Sequence, residues 1–165
     1  MITRFTGNVW KYGDNIDTDV IFPGKYAYQK MEPGEMAKHA LEDLDPEFIN
    51  KVKEGDILVA GKNFGMGSSR EQAAAAVKYA GIRVIIAKSF ARIYFRNAIN
   101  AGMPAIKSPE AVEAIENGDE VTVDMQKGEI ITPRGTFTFP PYPRTVMDIL
   151  DNDGLINYIK AKIEK

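Results

Sequence analysis

The stretch from Asp56 to Lys88 leaves this chain few folds to choose from. It runs from DILVA (56–60) through a glycine-containing turn into the alanine-rich SREQAAAAVKYA (69–80), stops at Gly81 and resumes as RVIIAK (83–88). Short β-branched runs of this kind are strands of the buried sort. The alanine run is a strong helix former, and Gly81 supplies the left-handed residue that ends many helices. Strand, helix and strand in that order make a βαβ unit.

The flanks fit around this unit. Residues 2–9 read as a further strand, and a second helix is expected over FARIYFRNAINA (90–101), ending at Gly102. A short third helix starts at Ser108 with Pro109 in its first turn, where proline's missing N–H costs nothing. From Asp119 onwards the texture becomes alternating, with bends at Lys127-Gly128 and Arg134-Gly135, so a β-meander is predicted. LINYIKAKI (155–163) is the last expected helix. Strands from both ends around a central βαβ core predict a mixed, layered α/β domain with one sheet packed on another. The 165 residues suit a single domain, 1–165.

Composition narrows the function. Lys and Arg number 21 against 23 Asp and Glu, so no positive field gathers nucleic acid or an anionic membrane. The opening MITRFTGNVW has neither the basic start nor the apolar run of a signal peptide, and no stretch approaches the roughly 20 apolar residues of a membrane span. The chain reads as cytoplasmic. Cysteine is absent, which excludes disulfides, a thiol nucleophile and thiolate ligation of zinc or an iron–sulfur cluster by this chain. The single histidine, His39, lies in the helical-looking EMAKHALEDL (35–44) and reads as solvated or capping rather than as a metal ligand.

The segment richest in chemistry is GKNFGMGSSREQAA (61–74), at the turn from strand to alanine-rich helix. Gly65 and Gly67 permit a tight turn, and a helix start offers unpaired N–H donors with partial positive charge, so this is an anion site. Arg70 adds a planar fork suited to carboxylate or phosphate, and Ser68 presents a hydroxyl beside those donors. Ser68-x-x-Glu71 is equally a capping box, in which the hydroxyl is occupied by backbone. A phosphate-binding P-loop fails because no lysine precedes Ser68. A dinucleotide fingerprint fails because Arg70 stands where a glycine or alanine is needed.

Upstream, YGDNIDTDVIFPG (12–24) gathers Asp14, Asp17 and Asp19. A calcium loop would require a glycine and a bidentate glutamate at positions this segment does not fill. On its own it reads as an Asp-rich turn bonded to local backbone. Arg92 and Arg96, four residues apart on the second helix, read as a solvated or ion-paired face.

Taken together, NFGMGSSREQAA (63–74), DTDVIFPGKY (17–26) and AKSFARIYFRNAINAG (87–102) resemble, in order and spacing, the small subunits of isopropylmalate dehydratase and homoaconitase. The resemblance spans most of the chain. It implies an α/β fold of the swivelling β/β/α kind, like the C-terminal mobile domain of aconitase, closing over a 4Fe–4S cluster held by a separate large subunit. No cofactor or metal would be bound by this chain. Ser68 matches the serine that acts as general base, Arg70 the arginine that binds a substrate carboxylate, and Asp19 an aspartate lining the site, with Ser69 and Gly67 beside them. The implied partners are that large subunit, in a heterodimer or heterotetramer, and a small hydroxy diacid.

The expected specificity loop departs from its relatives. Tyr26-Ala27-Tyr28-Gln29 matches neither the Tyr-Leu-Arg-Thr of homoaconitase-like chains nor the Tyr-Leu-Val-Tyr of isopropylmalate-like ones. Tyr28 stands in place of an arginine that would meet an extra carboxylate, so an apolar side group is favoured, although Lys30 can supply a charge if the loop bends. Isopropylmalate is the substrate expected, with homoaconitate or a methylated malate as alternatives. Two rivals predict differently: a stand-alone binding module takes up ligand by itself, and an accessory subunit keeps full activity when Ser68 is removed.

Overall fold

The computed structural model describes residues 3–26, 29–68 and 70–164. In chain order the elements are β1 (Arg4–Lys11), α1 (Thr18–Ile21), a 3-10 turn (Gly24–Tyr26), α2 (Pro33–Lys38), α3 (Phe48–Lys51), β2 (Ile57–Ala60), α4 (Glu71–Tyr79) and β3 (Val84–Ala87). They continue with α5 (Arg92–Asn100), β4 (Ala105–Lys107), α6 (Pro109–Ala114), β5 (Glu120–Asp124), β6 (Glu129–Thr132), β7 (Gly135–Thr138), α7 (Arg144–Asp151) and α8 (Leu155–Ile163).

The strands form one seven-stranded sheet in the order β4-β3-β2-β1-β5-β6-β7. The predicted βαβ unit is present, with Ile57 opposite Val84 and Ala60 opposite Ala87 in parallel register. The predicted meander is present too, as antiparallel β5, β6 and β7. The two packed layers expected from sequence are two halves of this one sheet, joined by β1, which belongs to both. Its residues 4–8 run antiparallel to β5 and its residues 9–11 parallel to β2. A single strand shared in this way makes the sheet continuous and lets it curl.

The curl is visible in the cores. All residues of β2 and β3 are buried, and alternate side chains go to opposite faces. Leu58, Ala60, Ile85 and Ala87 pack with Ala73, Ala74, Ala76 and Val77 of α4 and Tyr94 and Ala98 of α5. Ile57, Val59, Val84 and Ile86 pack with Val112 of α6 and with Val121, Val123 and Ile130 of the meander. The meander thus folds over the second face of the parallel strands while remaining bonded to them through β1. Small alanines on α4 bring that helix close to the first face, which fixes where its N-terminus points.

Helix boundaries differ from the sequence reading at the functional end. The α4 helix begins at Glu71 rather than Ser69, and α5 at Arg92 rather than Phe90. The helical-looking 35–44 segment is a short helix, α2, that closes at His39. The α7 helix has no counterpart among the expected elements; Pro140, Pro141 and Pro143 before it read as loop, and the helix starts directly after the last of them. Among the described residues no helix is long and apolar enough to cross a membrane.

Candidate active site

Three segments distant in sequence are laced together beyond the C-terminal ends of β2 and β3. The middle one is the glycine turn. On one side it is bonded to the Asp-rich segment: the Lys62 N–H donates to Asp14 Oδ1 (2.7 Å), and the Gly65 N–H to the Ile16 carbonyl (2.9 Å). The Thr18 N–H donates to the Met66 carbonyl (2.9 Å), and Thr18 Oγ1 to the Ser68 carbonyl (2.8 Å). On the other side, the Phe64 N–H donates to Ser89 and the Ala91 N–H to Phe64, at 3.1 and 2.9 Å. The ends of parallel strands are where open α/β sheets place ligands.

These segments enclose a pocket of about 270 Å³, lined by Thr18, Gly65, Gly67, Ser68 and Arg70 and, from α5 and its approach, by Ala91, Arg92, Ile93, Tyr94 and Asn97. Two glycines give the pocket its floor. Gly65 has φ +85°, and a Cβ there would stand 2.2 Å from Tyr94 Cγ. Gly67 has φ +94°, and a Cβ would stand 2.6 Å from Asp17 Oδ2. Other residues are disfavoured in that left-handed region. Tyr94 is a strut: it is buried, its ring meets Phe64 edge-on at 5.1 Å, and its hydroxyl donates to the Ala73 carbonyl at 3.1 Å. Burial pushes its phenol above the ordinary range, so it serves as a neutral support rather than a proton donor.

The capping-box reading of Ser68 is corrected. The N-cap position of α4 is Arg70, in extended conformation and with no side-chain cap bond. Because the helix starts at Glu71, Ser68 lies too far out to cap it. Its side chain is exposed, and its hydroxyl makes no hydrogen bond among the described residues. That hydroxyl is therefore available for chemistry.

The electrostatics are those of an anion site. Two nine-residue helices, α4 and α5, begin beside the pocket, their N-cap residues Arg70 and Ala91 making no side-chain cap bond, and a helix start carries about half a positive charge. Arg70 is mostly buried, with 17% of its side chain exposed, and is ion-paired with Asp19, which is 58% exposed. Its Nη1 is buried against Asp19 without the angle of a hydrogen bond and has no other acceptor among the described residues. Arg92, exposed at the first turn of α5, adds a second cation.

The sequence candidates divide clearly. Ser68, Gly67 and Arg70 line the pocket, and Asp19, not among the lining residues, is ion-paired with Arg70. Ser69, Ala27 and Tyr28 lie outside the described residues. Tyr26, expected in the specificity loop, is half-buried and stacked on His39 with centroids 4.1 Å apart, and is not among the pocket-lining residues. Gln29 and Lys30 are exposed, with the Gln29 N–H donating to the Tyr26 carbonyl. His39 is held by that stacking and by Glu42 at 3.1 Å. Arg92, read from sequence as helix face, belongs to the pocket together with Asn97, whereas Arg96 does not line it. The missed signal is topological: SFAR follows β3 just as SSR follows β2. Among the described residues no group of three or more His, Cys, Asp or Glu is placed to hold a metal ion.

The aconitase C-terminal domain family matches residues 9–111. A 3-isopropylmalate dehydratase small subunit from Aquifex aeolicus is 53% identical over 99% of this chain and 98% of its own length. One from Caldanaerobacter subterraneus subsp. tengcongensis is 55% identical over 95% and 98%. The chain belongs to the 3-isopropylmalate dehydratase small-subunit family. A crystal structure of a 3-isopropylmalate dehydratase from Methanocaldococcus jannaschii matches with TM-score 0.90 and 45% identity, covering 96% of this chain and 95% of that one. The α/β fold implied by the aconitase resemblance is thus the one observed. Within this small-subunit family member, residues 9–111 contain all three pocket segments, while the meander, α7 and α8 lie beyond the shared stretch.

Proposed function

We infer that this chain is the small subunit of 3-isopropylmalate dehydratase, a hydro-lyase that interconverts 2- and 3-isopropylmalate by dehydration and rehydration in leucine biosynthesis. The observation that carries the site assignment is the meeting of the exposed Ser68 side chain with the Arg70 fork in one pocket at the starts of α4 and α5.

In this reading the chain, residues 1–165, works as one swivelling domain in the cytoplasm, paired with a large subunit. Arg70 takes a substrate carboxylate through its fork, with Asp19 holding the guanidinium by its ion pair. Ser68 Oγ removes the proton from the carbon next to a carboxylate; the electron pair forms the double bond as the hydroxyl departs. A serine hydroxyl is a poor base at its free pKa, so positive potential must favour the oxyanion. The two helix starts, Arg70 and Arg92 supply it. The family resemblance implies a 4Fe–4S cluster on the large subunit, which would supply a Lewis acid for the departing hydroxyl; this chain, without cysteine, has no thiolates to hold one. Ala91 and Ile93 give the pocket an apolar wall that suits an isopropyl group.

The test is to mix the chain anaerobically with its large subunit and assay isopropylmalate, homoaconitate and a methylated malate side by side. Turnover of isopropylmalate that disappears with Ser68→Ala supports both reaction and base. Silence on all three despite complex formation sinks the catalytic reading.

A further inference from the structure

We infer that Thr18 is a positioning residue for Ser68: its hydrogen bonds to the carbonyls of Met66 and Ser68 hold in place the backbone from which the Ser68 side chain projects. The inference rests on Ser68 being the base.

Thr18 is the first residue of α1 and is 2% exposed. Its N–H donates to the Met66 carbonyl at 2.9 Å and its Oγ1 to the Ser68 carbonyl at 2.8 Å. The two acceptors flank Gly67, whose φ of +94° places it in the region where glycine alone moves freely. One residue therefore spans the most pliable joint of the turn. Thr18 is itself held: its carbonyl accepts from the Phe22 N–H at 2.9 Å, and the preceding Asp17 caps α1 by accepting from the Asp19 N–H at 2.8 Å. Its β-branched side chain is stiff about χ1, so the donor direction is rigid.

Stability alone does not account for this hydroxyl. Burying it carries a desolvation cost that the bond only roughly offsets, and valine would fill the same space. The carbonyl it serves is on an exposed residue, Ser68, where water can serve as donor. What the bond supplies and water cannot is a fixed direction. A misplacement of about 1 Å at a reacting group lowers rate by on the order of 100-fold.

The experiment compares Thr18→Val and Thr18→Ser in the complex reconstituted with the large subunit, each with and without Ser68→Ala. Expected is a fall in kcat of about 10- to 100-fold for Thr18→Val with KM within about twofold, recovery of most of kcat in Thr18→Ser, and no further loss from Thr18→Val once Ser68 is alanine. Hydrogen exchange on the isolated chain supplies a readout independent of turnover. The amides of Gly65 and of residue 18, which donate to the Ile16 and Met66 carbonyls, should exchange faster in Thr18→Val while the thermal midpoint stays within a few degrees. Unchanged kcat with unchanged exchange overturns the assignment, as does an equal loss with and without Ser68. An inactive wild-type complex with faster exchange in Thr18→Val overturns the catalytic reading but leaves the clamp standing.

Discussion

The Tyr94 ring occupies the space in which Gly65 would carry a side chain, since a Cβ at Gly65 would lie 2.2 Å from Tyr94 Cγ and 2.3 Å from its Cβ. Gly65 also holds φ +85°. Helix α5 thus sets the floor of the turn that carries Ser68, and the two cannot move apart without opening the Phe64–Tyr94 contact at 5.1 Å.

Gly65→Ala therefore meets two penalties. Left-handed backbone at a non-glycine residue costs about 1–3 kcal/mol, and overpacking against Tyr94 a similar amount. Urea unfolding followed by the fluorescence of Trp10, the chain's one tryptophan, should show a loss of at least about 2 kcal/mol. A wild-type midpoint would mean that the turn shifts without resistance.

Ser68→Ala is expected to separate function from stability. The hydroxyl makes no hydrogen bond among the described residues and the side chain is exposed, so the unfolding free energy should stay within about 0.5 kcal/mol of wild type. Turnover in the reconstituted complex should fall by about 100-fold or more, the usual contribution of a positioned base. Equal losses in stability and activity would restore a structural role for the residue.

Arg70→Lys keeps the charge but removes the fork. A charged hydrogen bond contributes about 1.5–3 kcal/mol, and about 1.4 kcal/mol is tenfold in affinity, so KM for the hydroxy diacid should rise by about tenfold or more. Asp19→Asn should move KM in the same direction by less, because Asp19 only orients the guanidinium. Steady-state kinetics with the large subunit decide this; an unchanged KM in the Arg70→Lys enzyme would exclude bidentate recognition.

Much of this was legible in the sequence, and the reasons are particular. The βαβ unit and the meander announced themselves through β-branched runs, the alanine helix and Lys127-Gly128 and Arg134-Gly135, because those are local signals. Ser68, Gly67 and Arg70 were legible from the glycine turn before a helix. What was not legible depends on pairing across the chain. That β1 serves both halves of the sheet is fixed by its partners at 57–59 and 120–124, which no local pattern encodes. Arg92 looked like an ordinary helical arginine because only the β3–α5 turn, folded beside the β2–α4 turn, brings it to the pocket. The α4 start shifted by two residues, enough to turn Ser68 from a cap into an available hydroxyl.

Acid should weaken the meander through one identifiable carboxylate. Asp124, buried at the end of β5, accepts from the Lys127 N–H at 2.9 Å and lies 3.4 Å from Arg4 of β1. The Lys127 backbone N–H, aided by that of Gln126 and the charges of Lys127 and Arg4, holds its carboxyl below the ordinary carboxylate value. A depressed folded value means that the ionised form is favoured by folding. The contribution is complete above the unfolded value of about 4 and disappears as pH falls through the lower folded one. Asp124→Asn removes the titration and keeps a weaker acceptor for the turn. Wild type should therefore be the more stable protein near pH 7, and its advantage should shrink steadily below about pH 4 until the two unfolding midpoints converge. Parallel curves across that range would show that Asp124 titrates alike in the folded and unfolded chain.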